Sequence, residues 1–283
     1  MFDWRSYFVW RSIVEGSIQM LFPTRAFDPT YPSLRRNRRG VRSSEMRPTV
    51  TIDCFSEGFN GYGEGYAVVA VDVIRATTTA VTAVASGRKC FPVSSITEAY
   101  RLADTLDEPL LVGELGGAMP YGFDLTNSPA QLARRKDVGR AVILLSTSGT
   151  QLIMSAPAGV FVACLRNYRA QIDYLAGRYG KVLVIGAGTR GEFREEDQMC
   201  CAWIAEGLIA AGYQPGSKRT AQVVDHWSGV AADSFVGGKS TEYLRATDQL
   251  HDLDFILDTV NDTDAVFVRN REEICLAREL VRA

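Results

Sequence analysis

From Pro48 onward the chain alternates two kinds of pattern. Short apolar runs stand at Thr49–Ile52, Ala67–Val71, Lys89–Val93, Leu110–Gly113, Ala141–Leu145, Val160–Cys164, Val182–Ile185 and Ala265–Val268. Between most of them the apolar residues recur every three or four positions, as in SITEAYRLADTL (Ser95–Leu106) and RAQIDYLAGRYG (Arg169–Gly180). The first kind reads as short buried strands and the second as amphipathic helices. Their alternation predicts an α/β fold with a mixed, largely parallel sheet flanked by helices. It forms either one large domain or two closely joined lobes. No internal repeat or low-complexity linker interrupts it.

The first 47 residues break this pattern. An aromatic-rich stretch, MFDWRSYFVWRSIVEGSIQMLF, leads into the arginine run of PSLRRNRRGVRSSEMRP. Asp3 and Glu15 interrupt the apolar part, and no small-residue cleavage site follows, so it does not read as a signal peptide. Residues 1–47 are expected to be a poorly ordered extension without function, and 48–283 the globular part. Met46 stands immediately before the first strand, so the extension is read as preceding a natural start.

In open α/β sheets ligands bind beyond the carboxyl ends of the strands. Five of the eight strand ends carry chemistry. Asp72, Arg75 and Thr77–Thr79 follow the second run; Glu114, Asp124, Asn127 and Ser128 lie in GELGGAMPYGFDLTNSP; and STSGT (Ser146–Thr150), LRNYR and AGTRGEFREED follow later strands. Asp72 is either a helix cap or a ligand. STSGT is either a plain helix start or an anion cradle of backbone N–H groups. Glu114 follows a buried strand directly, beside Gly113, Gly116 and Gly117, and needs a cation or donor as its partner.

Gly186, Gly188 and Gly191 have the GxGxxG spacing of a dinucleotide site. The helix expected after them opens with Glu192, Glu195, Glu196 and Asp197, which would repel a pyrophosphate, and no acid stands where the ribose would need one. The acidic cluster suits a metal better.

Composition narrows the chemistry. Of 283 residues 46% are hydrophobic and 23% charged, ordinary for a soluble enzyme-sized protein. The first 47 residues carry a net charge of +5, so the remainder carries −7, which argues against nucleic acid as a partner. No run of apolar residues is long enough for a membrane span. The six cysteines are scattered without a CxxC, pointing to a reducing cytoplasm. There is no Cys-x5-Arg loop, and His226 and His251 are the two histidines. What remains is oxygen chemistry: carboxylates around a hard cation, Mg²⁺ by preference, with arginine, hydroxyl and amide donors around an anionic ester.

VDVIRATTT, GELGGAMPYGFDLTNSP, STSGT and AGTRGEFREED, in this order, resemble the 2-phosphosulfolactate phosphatase family. The resemblance implies Mg²⁺-dependent hydrolysis of 2-phosphosulfolactate, or a similar small multiply anionic phosphoester, to sulfolactate and phosphate. Asp72, Glu114 and Asp197, with Glu196 as alternate, are then expected at the metal. Arg75, Thr77, Thr78, Asn127, Ser128, Thr147, Ser148, Gly149, Thr150, Arg166 and Asn167 are expected at the substrate's oxyanions. Asp124 is read as a general acid or a structural cap. Ser148 stands where the family has Asn, and Arg166 in a segment that relatives keep small and apolar. A homodimer is the assembly allowed for. Two rivals remain: a non-catalytic anion-binding or regulatory protein of the same fold, and a nucleotide-binding oxidoreductase through Gly186–Gly191.

Overall fold

A computed structural model describes residues 47–54, 62, 65–188 and 192–280. The expected extension, apart from Arg47, and Gly191 lie outside them. In chain order the elements begin with β1 (Thr49–Cys54), β2 (Ala67–Val71), α1 (Ala76–Ala85), β3 (Cys90–Val93), α2 (Ile96–Ala103), β4 (Leu110–Gly113) and α3 (Pro129–Arg134). β5 (Val142–Leu145), α4 (Gly149–Ser155), β6 (Phe161–Ala163), α5 (Tyr168–Leu175), β7 (Lys181–Gly186) and α6 (Glu195–Ala210) follow. The chain continues through β8 (Gln214–Pro215), α7 (Lys218–Trp227), α8 (Lys239–Ala246), α9 (Leu250–Asp258), β9 (Phe267–Asn270), β10 (Glu273–Leu276) and α10 (Ala277–Leu280). All eight expected strands are present; β8 and β10 are additional.

The strands form one sheet in the order β4-β5-β3-β10-β9-β6-β2-β7-β1-β8. β4-β5-β3 is one parallel block and β6-β2-β7-β1-β8 another, joined through the antiparallel β9–β10 hairpin. The two lobes considered from the sequence are therefore blocks of a single mixed sheet. β2 is central and buried on both faces, which is why it reads as an unbroken apolar run. Ala67, Val69 and Val71 pack on the face that carries α6, whereas Val68 and Ala70 pack on the face of α1 and α4.

Three successive antiparallel pairings, β6–β9, β9–β10 and β10–β3, set the two blocks in opposite senses. In a flat sheet the carboxyl ends of β2 and β5 would lie at opposite edges. Five strand-to-strand steps separate them, and a normal twist accumulates about 100–125° over that distance. The two ends can then meet, and they do: the Gly149 backbone at the start of α4 packs against the Asp72 carboxylate after β2. This meeting creates the cavity described next.

Candidate active site

A cavity of about 410 Å³ opens where the blocks meet. One wall consists of Asp72, Glu114, Gly116, Gly117, Asn127, Thr147 and Ser148. The other carries Arg75, Arg194, Lys239, Ser240 and Tyr243, with Ile74 beside them.

The first wall is acidic. Asp72 is buried, its Oδ1 accepting from the Ala76 N–H at 3.2 Å. Burial raises its carboxyl to about 6; Glu114 adds to the rise, while the Ala76 N–H, Arg75 and the Gly149 N–H oppose it. Gly149 is required here, because a Cβ at this position would overlap Asp72 Oδ2 and approach Ala76 Cβ to 2.5 Å. Glu114 is held by its neighbours: Oε1 accepts from the Thr147 N–H, and Oε2 from the Thr147 hydroxyl and the Gly117 N–H. Thr147 Oγ1 accepts in turn from the Gly116 N–H at 2.7 Å. Asn127 is 3% exposed, and its Oδ1 has no hydrogen-bond partner.

Two more acids stand behind Asp72, outside the cavity lining. Asp197 accepts from the Val73 N–H at 2.7 Å and from the Gly188 N–H. Burial first, then the charges of Asp72 and Glu196, push its carboxyl well above the usual range. Burial pushes Glu196 up to about 7, against a hydrogen bond from Ser240. Its Oε2 is buried without a partner.

The second set of lining residues is cationic and stands at helix starts. Arg75 is the N-cap residue of α1, Arg194 that of α6, and Lys239 is the first residue of α8. Helix N-termini present unsatisfied N–H groups and a partial positive charge, so their convergence with three cationic side chains makes an anion site. Arg194 Nη1 and Lys239 Nζ share the exposed Glu192, at 2.9 and 2.5 Å, and hydrogen bonding from Lys239 lowers the Glu192 pKa. Tyr243 donates its hydroxyl to Gly117 O at 2.6 Å, closing one side.

The profile described as 2-phosphosulpholactate phosphatase matches residues 59–272. This chain belongs to that family. It is similar to "Probable 2-phosphosulfolactate phosphatase" of Carboxydothermus hydrogenoformans, 42% identical over 137 residues, which are 47% of this chain and 57% of the relative. The proteins of the same description from Pseudothermotoga lettingae (40% over 143 residues, 50% of this chain and 61% of the relative) and Clostridium perfringens SM101 (35% over 152, 51% and 62%) are also similar. The aligned parts span about six tenths of the length of these curated relatives.

Of the residues assigned through the family motifs, Asp72, Arg75, Glu114, Asn127, Thr147 and Ser148 line the cavity, and Gly149 serves it through its backbone. The others do not line it. Thr77 Oγ1 donates to Asp72 O and accepts from the Asp72 N–H, and Thr78 Oγ1 donates to Val73 O, so both hydroxyls are spent inside the turn. Thr150 makes the same kind of closed turn with Ser146. Ser128 caps α3 and donates to Asp252; Asn167 holds the Cys164 N–H and Val162 O. Arg166 is paired bidentately with Asp262 and bonds Thr82 Oγ1. Asp124 is exposed and accepts from the Leu111 N–H, at the opposite end of β4 from Glu114; it is a structural acceptor rather than an acid in the site.

Arg194, Lys239, Ser240 and Tyr243 escaped the sequence reading. Arg194 was masked by the acids beside it. Lys239 and Ser240 carried a usable signal, since Gly237-Gly238-Lys239-Ser240 opening a helix is a pattern suited to anions. Gly188 directs its N–H at the Asp197 carboxylate, and a Cβ on Gly186 would overlap the Phe193 ring. Gly186 and Gly188 thus serve packing around Asp197.

The cavity suits a hard cation in its donor chemistry. Two buried acceptor oxygens, Asn127 Oδ1 and Glu196 Oε2, have no donor, and buried carboxylates crowd around Asp72. Among the described residues no group of three or more His, Cys, Asp or Glu is arranged to hold a metal by itself.

Proposed function

We propose that this protein is a Mg²⁺-dependent phosphatase acting on a small, multiply anionic phosphoester, with 2-phosphosulfolactate as the reference substrate. The observation that carries this reading is the cavity lining, which combines acids and an orphaned amide oxygen with three cations on helix starts. The names borne by its relatives support it. Asp72 and Glu114, with Asn127 Oδ1, would hold the cation; Asp197 and Glu196 would set the negative potential behind it. Bound there, Mg²⁺ supplies charge neutralisation on the phosphoryl oxygens and a polarised water.

The chain's own residues bind and orient. Arg194, Lys239 and the start of α8 attract the acid groups of the substrate, and Arg75 engages an oxygen at the junction of the walls. The Ser148 hydroxyl is not spent on capping its helix and is placed on the cavity to donate. The Thr147–Glu114 pairing keeps the carboxylate from swinging towards the cations. We place the enzyme in a reducing cytoplasm, in keeping with six cysteines scattered along the chain without a CxxC, and without nucleic acid as a partner.

Phosphate release from a panel of phosphoesters, with Mg²⁺ and with chelator, tests the proposal. Turnover of a phosphoester that also bears sulfonate or carboxylate, lost with chelator and restored by Mg²⁺, is the expected result. Anion binding without phosphate release from any ester would instead make this a non-catalytic binding protein. Undiminished activity in chelator would remove the metal.

A further inference from the structure

Asp252 on α9 does not line the cavity, yet it is fully buried and ion-paired to a residue that does. Its Oδ2 accepts from Arg75 Nη1 at 2.6 Å. Gln249 Oε1, just before α9, accepts from the same nitrogen. The other oxygen has separate duties: Oδ1 accepts from the Ser128 hydroxyl at 2.6 Å and from the Ala130 N–H at 3.1 Å. The carboxylate therefore divides its two oxygens between the start of α3 and the Arg75 guanidinium.

Resting on the phosphoester reading above, we propose that Asp252 is the positioning residue of Arg75, fixing its guanidinium so that the rest of the fork meets an anionic substrate oxygen. A guanidinium is planar and rigid, so anchoring one nitrogen sets the direction of the others. Both bonds to Asp252 and Gln249 use Nη1, so Nε and Nη2 are not spent on α9. A staple for α3 would need Oδ1 alone. The bond from Oδ2 also ties the segment bearing Lys239 and Ser240 to the start of α1. Arg75 and the α8 donors are thereby kept in register on one wall.

Asp252→Asn retains an amide oxygen for Ser128 and Ala130 but removes the charge that orients Arg75. Expected is a fall in kcat/KM of about ten- to a hundredfold, the range of a charge-assisted hydrogen bond. The affinity for inorganic phosphate, measured by calorimetry, should fall alongside. Removing one partner of a buried pair can unfold a protein, whereas removing both leaves no stranded charge. The second arm therefore compares Arg75→Ala with the Arg75→Ala, Asp252→Asn double variant. Added guanidinium ion should restore activity or phosphate binding to the first and fail with the second. Wild-type kcat/KM and phosphate affinity in Asp252→Asn, or equal rescue of both Arg75 variants, would overturn the proposal. If the unaltered protein binds phosphate but hydrolyses no ester, the phosphatase reading fails. The phosphate affinities of the variants still decide the role of Asp252.

Discussion

The Asp72 carboxylate meets opposing demands: burial penalises its charge, and the Ala76 and Gly149 N–H groups favour it. A turn residue that merely capped α1 would not need Gly149 pressed against its second oxygen. Asp72→Asn is therefore expected to abolish Mg²⁺-dependent phosphate release while costing at most about 1 kcal/mol of stability, the scale of a lost cap. A variant that keeps its turnover and melts lower would return Asp72 to the role of a cap. Gly149→Ala tests the same contact from the other side. Its methyl would collide with Asp72 Oδ2 and Ala76 Cβ, and Asp72 is tethered, so neither can yield cheaply. Expected is a loss of about 1–3 kcal/mol, the usual cost of overpacking, together with most of the activity. Unchanged melting and unchanged kcat/KM would show slack in the turn.

At the scale of elements, α1 explains both what the sequence revealed and what it hid. Its row Thr77–Thr79 reads as a bank of hydroxyl donors, but every one of them bonds back to a carbonyl in the preceding turn. A sequence displays a hydroxyl without displaying its partner. Burial decides between the two uses, since a buried helix must satisfy its own polar groups first. The eight apolar runs were legible as strands because burial on both faces leaves a continuous apolar signature. β10 was not, because the hairpin before it turns on Arg271 in the left-handed region, where a glycine or asparagine would have announced it. Long-range pairing also misled: Arg166 looked like a substrate contact, yet its partner Asp262 lies 96 positions away. Arg166→Met should accordingly leave kcat/KM within about twofold and lower stability by about 1 kcal/mol, or about 2–4 °C in Tm. A large loss of activity at unchanged Tm would put Arg166 back at the substrate.

Across the whole molecule, two opposed blocks bring an acid cluster against a cationic wall, and the acids lie on the buried side. Burial raises Asp72 to about 6 and Glu196 to about 7, and lifts Asp197 well above the carboxylate range. A carboxyl whose folded-state pKa lies above its unfolded value contributes stability that is full below the unfolded pKa and is lost as pH rises through the folded one. For Asp72 and Glu196 the loss begins near their ordinary values of 3.8 and 4.5 and is largely complete above about 6 and 7. Asp137 has the opposite sign: hydrogen bonds from Arg135 and Arg88 hold its carboxyl far down, so its contribution changes only at much lower pH. The metal-free protein should therefore lose melting temperature from about pH 4 to about pH 7 as Asp72 and Glu196 ionise, with Asp197 carrying the loss further in the same direction. Under the proposed function, Mg²⁺ would bind the ionised carboxylates of the folded state and stabilise it by mass action. The Tm gained on adding it should grow over the same interval. Calorimetric scans at several pH values, with chelator and with Mg²⁺, read both effects. A flat Tm in chelator would mean that the buried acids are neutralised within the fold. A Mg²⁺ gain independent of pH would place the ion away from Asp72, because only a site whose ligands must first lose protons couples its occupancy to that window.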